Sequence, residues 1–215
     1  MKQKRYLYIA TVFVTTFIAW TIAVMTFDVK CIGPHESQVG FSTINGVVHN
    51  LTGVHLKFYD ITDWLGLIPI VFVIAFAILG LAQWIKRKKL LDVDFDIIVL
   101  GAFYIVVIAV YLFFERFVVN YRPVLINGYL EASYPSSTTM LVMCVMPISV
   151  MQLKKRIKNN ALRRFAVFAI YIFIVFMVIG RLASGVHWVT DIIGGALFSI
   201  GIVMLYRYVC GLKVN

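Results

Sequence analysis

The stretch GRLASGVHWVTD, residues 180–191, follows a long apolar run and sets Arg181, His187 and Asp191 close together. His187 and Asp191 are four residues apart, a spacing that puts two side chains on one face of a helix. A carboxylate so placed can accept one ring N–H and leave the other ring nitrogen with a free lone pair, as a nucleophile or a base. The plainer reading of the pair is an interfacial histidine beside a helix-starting aspartate. The neighbouring arginines weigh against it, because charge at a span end is costly and usually functional.

Two further stretches carry complementary chemistry. ERFVVNYRP, residues 115–123, contributes Arg116 and Arg122, and YPSSTT, residues 134–139, contributes Ser136, Ser137 and Thr138. A guanidinium stays charged and matches two phosphate oxygens at once, although two arginines at a membrane face also suit nonspecific contact with lipid headgroups. Pro135 followed by hydroxyls predicts a helix start capped by Ser136 or Ser137. A helix start offers free amides and a positive dipole end to an anion. Together the set fits a phosphate monoester or diphosphate. His187 attacks phosphorus in line, and Arg122, Arg181 and the amides near Ser136, Ser137 and Thr138 stabilise the equatorial oxygens. No second acidic residue lies near Asp191 in the sequence to build a metal cage. No metal or other cofactor is therefore expected, and the arginines take the metal's electrostatic role.

The scaffold that must position these groups follows from composition. Of the 215 residues, 61% are hydrophobic and only 14% charged, with mean hydropathy +0.91. A soluble domain has about 45–50% apolar and about 25% charged residues, so the chain reads as an integral membrane protein. Six apolar runs stand out, at residues 6–27, 65–85, 95–119, 138–153, 165–181 and 189–208. Each must be helical, because unpaired backbone groups are too costly in lipid. The fourth and fifth runs are short for a core of about 30 Å and are expected to extend into flanking polar residues. The first run is longer than the apolar core of about 7–15 residues in a signal peptide and reads as a retained span.

The predicted fold is thus all-α and polytopic: one six-span domain over residues 1–215, with an outer segment at 28–64. Residues 47–64 predict a short interfacial helix capped by Asp60 or Asp63. Orientation comes from the basic residues. With the N-terminus cytoplasmic, the clusters at 2–5, 86–89, 154–158 and 163–164, with Arg207 and Lys213, put fifteen of the twenty Lys and Arg inside. Both termini are expected to be cytoplasmic, and the three chemical stretches then share the outer face. The net charge of +10 lies in these loops rather than on a binding face, so nucleic acid is not an expected partner. Cys31, Cys144 and Cys210 fall in different segments and predict neither a disulfide framework nor a zinc site.

The chain resembles the type-2 phosphatidic acid phosphatase (lipid phosphate phosphatase) superfamily. Its members carry Lys-x6-Arg-Pro, then Pro-Ser-Gly-His, then Ser-Arg-x5-His-x3-Asp. Arg122-Pro123 matches the end of the first motif, Pro135-Ser136-Ser137-Thr138 stands at the second, and Arg181, His187 and Asp191 match the third with both spacings intact. The resemblance implies a metal-independent phosphatase with His187 forming a phosphohistidine, Asp191 orienting it, and Arg122, Arg181 and Ser136 holding phosphate. It also implies a six-span layout in a bacterial plasma membrane, with the site on the extracytoplasmic side and a phosphorylated lipid as substrate.

Four positions depart from the pattern: Glu115 replaces the lysine, Ser137 the glycine, Gly180 the serine, and Thr138 the second-motif histidine that protonates the leaving alkoxide. Arg116 adjoins the lysine position but is turned about 100° round a helix from it. Losing a general acid costs about 10²–10⁴-fold, least where the leaving group is already a weak base. A lipid diphosphate, such as a polyprenyl diphosphate, is therefore the favoured substrate. His35, His49 and His55 lie on the same side as alternative acids. Two other functions stay open: a phosphotransferase with the same covalent intermediate, and a weak or inactive relative that only binds phosphorylated lipids. A transporter is disfavoured, since Cys144 and Ser149 are too few polar groups to line a path.

Overall fold

The computed structural model describes residues 2–212. The element order is α1 (Lys2–Thr26), a short hairpin pairing β1 (Lys30–Cys31) with β2 (Gln38–Val39), α2 (Ser42–Thr52), α3 (Leu56–Leu65), α4 (Leu67–Arg87), α5 (Phe95–Arg116), α6 (Ser137–Arg156), α7 (Asn160–Ala183) and α8 (Val189–Leu212). Six helical stretches among the described residues are long and apolar enough to cross a bilayer, with α3 and α4 forming one of them. The protein is an integral membrane protein with an all-α, six-span fold.

The fourth and fifth spans extend into their polar flanks as expected, to Arg156 in α6 and from Asn160 in α7. Ser136 caps α6, its hydroxyl accepting from the Thr139 amide at 3.4 Å, and Asn159 caps α7 by accepting from the Ala161 and Leu162 amides. The third span is shorter than its apolar run and stops at Arg116. Beyond it the chain doubles back on itself: the Arg122 amide donates to the Glu131 carbonyl, and the Ser133 amide to the Asn120 carbonyl.

Residues 47–64 differ from expectation. They hold parts of two helices, broken at Gly53, whose φ of 66° favours glycine. Asp60 and Asp63 lie inside α3 rather than capping it; His55 holds the cap position. Nothing is needed to cap a separate helix there, because α3 continues almost directly into α4.

Helices α6 and α8 form the centre. Their apolar windows are 61% buried, against 17–33% for the other four spans. That is why polar groups on these two can be held away from lipid. Around them Phe17, Phe114, Tyr134 and Phe198 pack near one end. At the other end a polar knot ties three helices: Asp94 bonds Gln83 at 2.8 Å and pairs with Arg87 and Arg156, while Asp96 pairs with Lys155 at 3.0 Å. The basic clusters after α4 and α6 lie at this second end. Lys213 lies outside the described residues.

Candidate active site

At the first end, four pieces of chain meet. The α7–α8 turn brings His187, the last turn of α7 carries Arg181, the α5–α6 connection brings Arg122, and α6 begins at Ser137. The turn is tight because Gly185 has φ +67° and a Cβ there would stand 1.8 Å from the Gly53 carbonyl oxygen. The α2–α3 link therefore rests directly on the turn that presents the histidine.

The four-residue spacing predicts His187 and Asp191 on one helix face, but His187 is not helical. It lies two residues before α8, and Trp188 separates it from the first helical residue. Asp191, at the third helical position, reaches back to accept from the Trp188 amide at 2.8 Å, the carboxylate half of a capping box. The pair still meets, with His187 Nδ1 3.6 Å from Asp191 Oδ2. Between them stands Ser133, whose hydroxyl is 3.3 Å from Nδ1 and donates to Asp191 Oδ2. Asn120 donates to the other carboxylate oxygen at 3.4 Å. His187 and Asp191 are buried, and Nε2 of His187 has no hydrogen-bond partner within the protein.

The arginines are buried as well. Arg181 is 1% exposed and Arg122 8%. The face of Tyr59 lies beside both guanidinium groups, 4.9 Å from that of Arg181 and 5.6 Å from that of Arg122, a favourable cation–π arrangement. Arg181 also meets Thr62 Oγ1 at 3.3 Å and Asp63 Oδ1 at 3.6 Å. Arg122 Nε pairs with Glu131 at 3.1 Å, off the hydrogen-bond line, while Nη1 of Arg122 and Nε of Arg181 have no hydrogen-bond partner. Buried polar groups are ordinarily satisfied, so unpaired guanidinium nitrogens around one unpaired imidazole nitrogen mark a place built for an anion. Burial, with the nearby Arg122 and Arg181 charges, holds the imidazole pKa well below its ordinary value. It stays neutral with a free lone pair.

The second stretch divides its labour. Ser136 is fully engaged: its hydroxyl caps α6 and its amide donates to the Asp191 carbonyl at 3.1 Å. Ser137 and Thr138 open the helix, where first-turn amides lack intrahelical acceptors. Thr138 also lines an apolar groove of about 370 Å³ between α4 and α5, with Ser137, Asp63, Tyr111, Val107 and Ile70. A small adjoining cavity, about 10 Å³, joins His187, Ser133 and Glu115 to Ser137 and Tyr111. Glu115, not Arg116, faces this cavity, and the Arg116 side chain is exposed. His35 and His55 are exposed, and the His49 ring packs 5.4 Å from that of Trp188.

Gly180 has little room for a side chain. A Cβ at Gly180 would stand 2.8 Å from Thr62 Cγ2, so α3 occupies the space a side chain would take. Sequence reading missed Ser133, Asn120, Tyr59, Thr62, Asp63 and Glu131. Only Asn120 lay inside one of the three stretches marked for chemistry; Tyr59, Thr62 and Asp63 lay in the segment read as an interfacial helix, and Ser133 stands three residues before Ser136. Among the described residues no group of three or more His, Cys, Asp or Glu side chains converges in a way that could hold a metal ion.

The chain's own sequence identifies the class to which this helical membrane bundle belongs. The family model of the PAP2 superfamily matches residues 102–213, more than half of the chain and all of α6 to α8. The chain belongs to the PAP2 superfamily. Its fold is similar to the crystal structure of a transmembrane PAP2-type phosphatidylglycerolphosphate phosphatase from Bacillus subtilis. The TM-score is 0.66 over 97% of this chain and 98% of that one, at 16% sequence identity. No curated protein matches the sequence.

Proposed function

We propose that the protein is a phosphohydrolase for a membrane lipid phosphate, with a lipid diphosphate such as a polyprenyl diphosphate favoured, acting through a phosphohistidine on His187. The observation that carries this reading is the unpartnered Nε2 of a buried, neutral His187 beside unpartnered nitrogens of Arg122 and Arg181. Nε2 attacks the terminal phosphorus, the bond from that phosphorus to the bridging oxygen breaks, and its electron pair leaves on that oxygen as part of the lipid monophosphate. Asp191 and Ser133, at Nδ1, hold the ring and stabilise the cationic phosphohistidine. The arginines and the Ser137 and Thr138 amides take the charge on the equatorial oxygens.

The apolar groove supplies a berth for the chain; Thr138 lines it, and it shares Tyr111, Ser137 and Met140 with the small cavity that reaches His187. An in-line displacement expels the leaving group there. Since Thr138 cannot deliver a proton as an imidazolium can, the departing group must be a weak base, which a lipid monophosphate is. The basic clusters at the far end support a site on the extracytoplasmic side by the positive-inside rule.

The test is a panel of phosphatidate, phosphatidylglycerol phosphate, lipid A and undecaprenyl diphosphate, assayed on purified protein without added metal. Phosphate release fastest from the diphosphate is expected. Equal rates on the monoesters would remove the leaving-group argument. Binding without any release would favour a lipid-binding protein, and transfer to an added alcohol in place of water would make it a phosphotransferase.

A further inference from the structure

We infer that Asp63 is the base that activates water against the phosphohistidine, an inference that rests on the proposed function above. The attacking water must arrive opposite His187, along the path the leaving group took. That path is the groove, and Asp63 is the one carboxylate among the described residues that line it. Tyr111 is the other group there able to ionise, and its ordinary pKa of about 10 makes it a poor proton acceptor.

Two contacts place Asp63. Its Oδ1 is 3.6 Å from Arg181 Nη1, so it stands next to a guanidinium that holds phosphate. One turn on, Gly66 N donates to the Asp63 carbonyl, and a Cβ on Gly66 would lie 3.7 Å from Thr138 Cγ2. Asp63 and Thr138, the latter at the position of the family histidine, line the same groove. Glu115 lines the small neighbouring cavity with His187 and not the groove.

In the first step Asp63 is a bystander, since a lipid phosphate departs without a proton. In the second step a water proton passes to the Asp63 carboxylate while the water oxygen bonds to phosphorus. The P–Nε2 bond breaks and its electron pair returns to the imidazole. Inorganic phosphate and neutral His187 result, and the carboxylic acid returns its proton to solvent, to which 57% of the side chain is exposed.

The experiment is rapid-quench kinetics on the full-length protein, with a polyprenyl diphosphate radiolabelled on its terminal phosphate. Asp63→Asn should release lipid monophosphate in a burst at nearly the wild-type rate. Phosphate release should slow roughly 10²-fold or more, with label building up on protein. Adding Thr138→His to Asp63→Asn should restore release. If Asp63→Asn slows both steps alike, Asp63 only positions Arg181, and the inference is wrong. If it slows neither, another group is the base. If the wild type itself never carries label on histidine, the proposed function fails along with the inference.

Discussion

The Ser133 hydroxyl stands between Nδ1 of His187, at 3.3 Å, and the Asp191 carboxylate to which it donates. His187 and Asp191 are 3.6 Å apart, too far for a direct hydrogen bond, so the serine completes the link. Hydrogen bonds to charged groups contribute about 1.5–3 kcal/mol. Ser133→Ala should therefore lower kcat by roughly 10- to 100-fold with little change in KM, and Asp191→Asn should lower it further. Steady-state kinetics on both variants check this. A Ser133→Ala enzyme with full activity would show that the carboxylate alone orients the ring.

The His187 imidazole is held neutral by burial first and by the Arg122 and Arg181 charges next. Its folded pKa lies below the unfolded value of about 6.5. The acid limb of kcat/KM should consequently fall well below pH 6.5. Arg122→Gln removes one of the charges that disfavour imidazolium, so it should move that limb upward, besides weakening substrate binding. Stability follows the same sign. Below about pH 6.5 the unfolded chain takes up a proton that folded His187 refuses, so this residue's contribution falls as pH drops. His187→Gln should lose less thermal stability than wild type on acidification from about pH 6.5 to about pH 5.

Gly180 is where α3 presses on α7, since a methyl added there would meet Thr62 Cγ2 at 2.8 Å. Gly180→Ser, which restores the family residue, should destabilise the protein by about 1–3 kcal/mol through overpacking. Pairing it with Thr62→Ser, which removes the offending methyl and keeps the hydroxyl facing Arg181, should recover most of the loss. Thermal unfolding in detergent measures both.

Thr138 lines a groove with room for a larger side chain. Thr138→His should raise turnover of lipid phosphate monoesters by about tenfold or more, and change diphosphate turnover far less. A variant that gains equally on both would show that proton delivery limits neither leaving group selectively.

Much of the fold was legible because lipid imposes long apolar helices, and the ends of α6 and α7 followed from the length a bilayer demands. Arg181, His187 and Asp191 were legible because their spacing is short and local. What the spacing misrepresented was conformation: His187 precedes α8 instead of sharing its face, because the Gly185 turn must first reverse the chain. The α3 residues Tyr59, Thr62 and Asp63 were not legible as site residues. They reach Arg181 across about 120 positions of sequence, and their only local signal was an amphipathic segment. Arg116 illustrates the converse, since a charge adjacent in sequence to a motif position points elsewhere once the helix turns.

The central claim is that phosphorus becomes bonded to His187, and rapid quench into alkali followed by peptide mapping tests it directly. With a terminally radiolabelled polyprenyl diphosphate, label should appear on His187 within the first turnover, be released by mild acid, and be absent from His187→Ala. Phosphate release that proceeds with no label on His187, or that survives in His187→Ala, would contradict it.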